Sequence, residues 1–168
     1  MGYGLIKAAG NNPELITMGV HSFARIQDHY LRLEKIFKST QELIDRYHPD
    51  ELAIEAPFYG KNVQSMLKLG RAQGVAISAA LSRQLPIFEY APRRIKQSIT
   101  GQGAASKEQV AAFLKNILKF EEIPKNLDAT DGLAAAMCHF YQRIPAKKGS
   151  NYSGWEDYIK KNPGRSAG

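Results

Sequence analysis

Glu51-Leu52-Ala53-Ile54-Glu55-Ala56-Pro57 reads as a short apolar strand that ends on a carboxylate and is stopped by proline. Before it, residues 28–47 place Leu31, Ile36, Leu43, Ile44 and Tyr47 among charges at near-helical spacing, ending just ahead of Pro49. After it, residues 61–84 are rich in small residues and apolar on one face, which predicts a second helix. Pro86-Ile87-Phe88-Glu89-Tyr90 then reads as another strand, and Pro92 opens a short helix through Ser98. Upstream, residues 2–8 and 15–23 are rich in Tyr, Ile, Leu and Val, and Gly10-Asn11-Asn12-Pro13 between them predicts a β-hairpin. Downstream, Thr100-Gly101-Gln102-Gly103-Ala104 is a glycine loop. Ser106 followed by Gln109 is a capping-box pattern for a helix to about Phe120, residues 121–126 form a loop, and Asp128 begins a last apolar helix to about Tyr141. A hairpin followed by strand–helix alternation predicts an α/β fold: a mixed sheet, antiparallel first and parallel after, with flanking helices over residues 1–143. Residues 144–168 read as a basic, mostly disordered tail with Trp155 and Tyr158 among its few aromatics.

At 168 residues the chain has room for one ordinary domain, and 43% hydrophobic with 23% charged residues excludes wholesale disorder or a fibrous repeat. Cys138 is the single cysteine, which rules out a disulfide framework and a Cys-based zinc site and fits a reducing cytosol. No apolar run approaches the roughly 18 residues needed to cross a bilayer, so a cytoplasmic protein without membrane partners is expected. With 23 Lys+Arg against 16 Asp+Glu, the net charge of +7 favours a polyanionic partner, of which nucleic acid is the commonest.

Three acids stand out. Glu55 lies at the carboxyl end of a strand, where α/β sheets place their chemistry; the alternative is an edge glutamate facing water. Asp128 and Asp131 are three apart at a helix start and share a face, although Asp128 also suits an N-cap. Together these carboxylates suit a hard divalent cation such as Mg²⁺, which prefers oxygen ligands and keeps waters for a phosphate to replace. His21, His29, His48 and His139 lack paired ligand spacing, which argues against zinc, and they read as surface or helix-packing residues. Lys107, at the first position of its helix, is either a solvated lysine or one that meets a substrate phosphate there. Phe58 and Tyr59 either stack on unpaired bases or pack against the protein. The small-residue face of residues 61–84, with Leu67, Gly70, Gly74, Ala76, Ala79 and Ala80, suits core packing, a dimer seam, or both.

The string AIEAPFYGKNVQSMLKLGRAQGVAISAALSRQLPIFEYAPRRIKQSITGQGAASKEQV, followed by LDATDGLAAAMCH, resembles the RuvC family of Holliday junction resolvases, from GYGLI at residue 2 to about residue 141. The resemblance implies an RNase H-like domain, a homodimer, hydrolysis dependent on Mg²⁺ (Mn²⁺ a possible substitute), and paired nicks in a four-way DNA junction. It also implies a branch-migration partner of the RuvA–RuvB type. It assigns Glu55, Asp128 and Asp131 to the metal-binding acidic site, Lys96 and Lys107 to phosphate charge, and Phe58 to the junction centre. Tyr59, Lys61 and Arg71 join the expected DNA contacts, Arg71 with the dimer partner as the alternative.

One departure matters. The family pattern opens with a strand carrying Ile-Asp-Pro-Gly, whose aspartate ligates metal, whereas this sequence opens on Met1-Gly2-Tyr3-Gly4, with Glu14 its first acid. The expectation is therefore a sheet lacking its central strand, between the hairpin and residues 51–55. Either Met1 is an internal methionine of a longer product, or the short chain is unstable or catalytically dead. The other functional expectations are a junction-binding protein without nuclease activity and a related RNase H-like nuclease acting on RNA.

Overall fold

The computed structural model describes residues 1–57 and 62–143. The order is β1 (Gly2–Ala9), β2 (Asn12–Val20), α1 (His29–Tyr47), β3 (Leu52–Glu55), α2 (Val63–Leu81), β4 (Ile87–Tyr90), α3 (Pro92–Thr100), α4 (Lys107–Leu118) and α5 (Asp128–Arg143). Phe58, Tyr59, Lys61 and the tail at 144–168 lie outside the described residues.

The hairpin turn is tighter than the sequence suggested. Ala9 pairs with Asn12, so Gly10-Asn11 is a two-residue loop, and Asn12 and Pro13 already belong to β2. Gly10 makes this possible: its φ of 62° is left-handed, as the first central position of such a loop requires. Farther along, Leu5 pairs with Thr17 but Ile6 with Leu15, which leaves Ile16 as an unpaired bulge residue facing outward.

β3 and β4 pair in parallel, with Leu52 opposite Ile87 and Glu55 opposite Tyr90, joined through α2. Period-2 alternation then sorts their side chains. Leu52 and Ile87 pack against Ile44, Ala80 and Leu85 on the α1–α2 side. Ala53 and Tyr90 pack on the opposite side against a larger core of Ile95, Ile99, Val110, Leu114, Leu133, Met137 and Cys138. Glu51 and Glu55 share Ala53's parity and so face α5.

The antiparallel and parallel pairs of the expected mixed sheet are both present, but as two separate two-stranded ladders, β1–β2 and β3–β4. Among the described residues no strand joins β1 to β3. α5 packs against both ladders instead. Its approach to β1 is backbone-close: a Cβ at Gly132 would come within 2.6 Å of Tyr3 Cα, and one at Gly4 within 2.5 Å of Leu133 Cα.

Helix starts follow local chemistry. Asp28 caps α1 by accepting from Leu31 N at 2.8 Å. Pro92 opens α3, and Ser106 with Gln109 forms both halves of the expected capping box on α4. No helix among the described residues is long and apolar enough to cross a membrane.

Candidate functional site

The carboxyl ends of β3 and β4, the start of α3 and the first turns of α4 and α5 converge on a small recess. Its walls include Glu55, Lys96, Lys107, Val110, Asp131 and Ala134, and its volume of about 30 Å³ is water-sized. Four sequence-predicted residues thus border one recess.

Lys107 is its electrostatic centre. The Nζ donates to Asp131 Oδ2 at 2.5 Å and lies 3.5 Å from Asp128 Oδ1. The hydrogen bond to Asp131, then the charges of both aspartates, hold the ammonium pKa above its ordinary value against the opposing effect of burial. These side chains are about a third to a half exposed, and such pairs contribute only about 0–1 kcal/mol to stability. The arrangement serves charge placement more than folding.

The structure also decides how Asp128 is used. The Leu127 carbonyl accepts from the Asp131 N–H at 3.1 Å, and Asn126 Oδ1 accepts from Asp128 N at 3.0 Å. Asn126 therefore answers the free N–H at the helix start, and the Asp128 carboxylate turns to Lys107 instead of capping.

Glu55 is exposed overall yet borders the recess. Partial loss of water there, and then the charge of Asp131, raise its pKa; Lys107 and Lys96 pull it down. Gln73 Nε2 on α2 donates to the Glu55 carbonyl at 3.2 Å and steadies the strand end, a contact that crosses elements and left no local signal in the sequence. Arg71 is exposed on α2 and does not line the recess. His139, expected at the surface or in simple packing, is buried with both ring nitrogens engaged.

The donor set suits a hard divalent cation: carboxylate oxygens dominate, and Asp128 and Asp131 already share the positive charge of Lys107. Among the described residues no three acidic, histidine or cysteine side chains come together as a group that could hold a metal ion, so Glu55, Asp128 and Asp131 are not gathered into one ligand cluster in this arrangement.

Fold and recess together define a basic α/β protein with acids and lysines gathered at the carboxyl ends of its parallel strands. The family model described as crossover junction endodeoxyribonuclease RuvC matches residues 1–139. The chain is 58% identical over 163 residues to a protein of that name from Christiangramia forsetii, covering 97% of this chain and 85% of the relative. It is 61% identical over 163 residues to one from Cytophaga hutchinsonii, covering 97% and 80%. The solved structure of Thermus thermophilus RuvC in complex with a Holliday junction substrate superposes with a TM-score of 0.78 at 30% identity, covering 85% of this chain and 88% of the other. The chain belongs to the RuvC family.

Proposed function

We propose that this chain is a structure-selective endonuclease that resolves four-way DNA junctions by Mg²⁺-dependent phosphodiester hydrolysis, with paired symmetric nicks in recombination and repair. The observation that carries the reading is the recess in which Lys107 ties Asp128 to Asp131 while Glu55 feels the charge of Asp131. The names of the relatives favour this reading over the binding-only and RNA-directed ones. Glu55, Asp128 and Asp131 would hold the cation, with Mn²⁺ a possible substitute. When bound, the cation supplies Lewis acidity toward water and the leaving oxygen. Asp128 and Asp131 present oxygens from one helical turn, so their spacing is fixed before substrate arrives. Lys107 meets the substrate phosphoryl oxygens at the α4 N-terminus, where free N–H groups add to its charge, and Lys96 neutralises the opposite side. Phe58, Tyr59 and Lys61, which follow β3 in sequence, and Arg71 on α2 would contact the DNA.

A homodimer would set two such recesses on a nearly two-fold junction. α2 supports it: Val63, Leu67, Gly70, Gly74, Ile77 and Leu81 recur every three or four residues along one face. Val63, Leu67 and Leu81 are 63%, 58% and 59% exposed, and a Cβ at Gly70 or Gly74 would meet nothing within 4 Å. Arg71, exposed beside this seam, is offered either to DNA or to the second protomer. A cytoplasmic location and a branch-migration partner of the RuvA–RuvB type complete the proposal.

The test is cleavage of a synthetic four-way junction at millimolar Mg²⁺ by the wild type and Glu55→Gln. The wild type should cut symmetrically, and the variant should bind the junction almost as well without cutting it. Retained cleavage by Glu55→Gln would remove Glu55 from the mechanism.

A further inference from the structure

A second polar group lies outside the recess and runs from Glu51, just before β3, to Tyr90 on β4, which pairs with Glu55. His139, 9% exposed, sits between two partners: its Nε2 is 2.6 Å from Glu51 Oε2 and its Nδ1 2.6 Å from the Tyr90 hydroxyl. The ring of Phe88 covers the imidazole, with centroids 4.4 Å apart, and Arg143 closes the far side as an ion pair with Glu51. The proton pattern follows from the neighbours. The hydrogen bond from His139 holds the Glu51 carboxyl below its ordinary pKa, and Arg143 adds to the effect. An ionised carboxylate only accepts, so Nε2–H donates to it. Burial raises the Tyr90 pKa, so the phenol keeps its proton, and its hydroxyl forms a hydrogen bond with His139 Nδ1.

The geometry relates this group to the recess. Glu51, Ala53 and Glu55 alternate onto one face, and the four-residue step from Glu51 to Glu55 spans about 13 Å of extended chain. The eight-residue step from Asp131 to His139 spans about 12 Å of helix. The two lengths match, so α5 runs alongside β3 in the opposite sense, Asp131 near Glu55 and His139 on Glu51. Between them α5 carries Ala134 and Ala135, whose small side chains offer little resistance to axial sliding along β3, Gly132 and Leu133 being turned to β1. Directional hydrogen bonds resist it well, because they weaken steeply with displacement.

We infer that Glu51, His139 and Tyr90 are positioning residues, a polar pin that fixes the axial register of α5 along β3 and with it the spacing of Asp128 and Asp131 from Glu55. The catalytic consequence rests on the nuclease reading above; the register itself does not.

The experiment uses the full chain and the variants His139→Leu, Tyr90→Phe and His139→Gln. Ile44→Val, in the separate cluster between α1 and α2, controls for general loss of stability. Backbone amide resonances of Asp131 and Lys107 are read in the metal-free protein, and single-turnover cleavage is read against junction affinity. His139→Leu should move both amides and slow cleavage about 10- to 100-fold with affinity little changed. Tyr90→Phe should do the same more weakly, and His139→Gln, which can still donate to Glu51, should restore both readouts. Unmoved Asp131 and Lys107 amides in His139→Leu or Tyr90→Phe would overturn the proposal, as would equal slowing by Ile44→Val. Should His139→Leu fail to fold, Tyr90→Phe decides by the same amide shifts. If the wild type itself does not cut junctions, the nuclease reading fails while the amide shifts still decide the register.

Discussion

Lys107 is where a single side chain carries the most consequence. It sits at the first position of α4, where the helix dipole disfavours a cation, and is held there by Asp128 and Asp131. Removing it frees two aspartates to repel across one helical turn, but all three are solvated enough for screening to absorb much of that. Lys107→Ala should therefore change folding stability by less than about 1 kcal/mol while slowing cleavage more than it weakens junction binding. Urea denaturation beside single-turnover kinetics checks both halves, and equal losses in rate and affinity would demote Lys107 to an electrostatic contact. Glu55, Asp128, Asp131 and Lys107 were legible in the sequence because strand ends and helix starts announce themselves locally, whereas Lys96 entered only through the family resemblance. Gln73, Asn126 and the partners of His139 were not legible. Their roles depend on contacts such as His139 to Glu51, 88 residues apart, that no spacing encodes.

Among the elements, α4 and α5 make the clearest forecasts. The Ser106 hydroxyl accepts from Gln109 N, and the Gln109 side chain answers the Ser106 N–H, so Ser106→Ala should cost about 1 kcal/mol by thermal or urea unfolding. Leu133 is fully buried where α5 meets both the core and β1, so Leu133→Ala should cost roughly 2–5 kcal/mol. Element type and order read well from periodicity and caps, since nearly every predicted helix and strand formed. The hairpin boundary did not, because Asn12-Pro13 reads as turn chemistry while the glycine-led two-residue loop closed earlier. Nor could the bulge at Ile16 be seen, since one extra residue leaves the apolar pattern of β2 almost unchanged.

For the molecule as a whole, charge and acid response follow from features far apart in the chain. With a net charge of +7, junction affinity should fall steeply as salt rises, the log–log slope counting the phosphates neutralised. Glu51 sets an acid limit. Its folded pKa lies below the ordinary 4.5, so its pairing stabilises the fold above that value and is lost as pH falls through the depressed one. The stability gap between wild type and Glu51→Gln, measured by denaturant titration, should be full near neutrality and shrink as the pH drops below about 4.5. Leu67→Glu on the open face of α2 should convert a dimer to a monomer in analytical ultracentrifugation, and an unchanged sedimentation coefficient would remove that seam.

The division into two ladders spanned by α5 has a dynamic corollary. A two-stranded ladder is marginal by itself, so each relies on the helix laid across it. Deuterium uptake should then be slowest through Leu133–Phe140 and fastest along the outer edge of β2, with both ladders losing protection together once that helix lets go. The aspartates that begin α5 lie in the turn that leads into this protected stretch, and heat should silence the chemistry and melt the fold in one step.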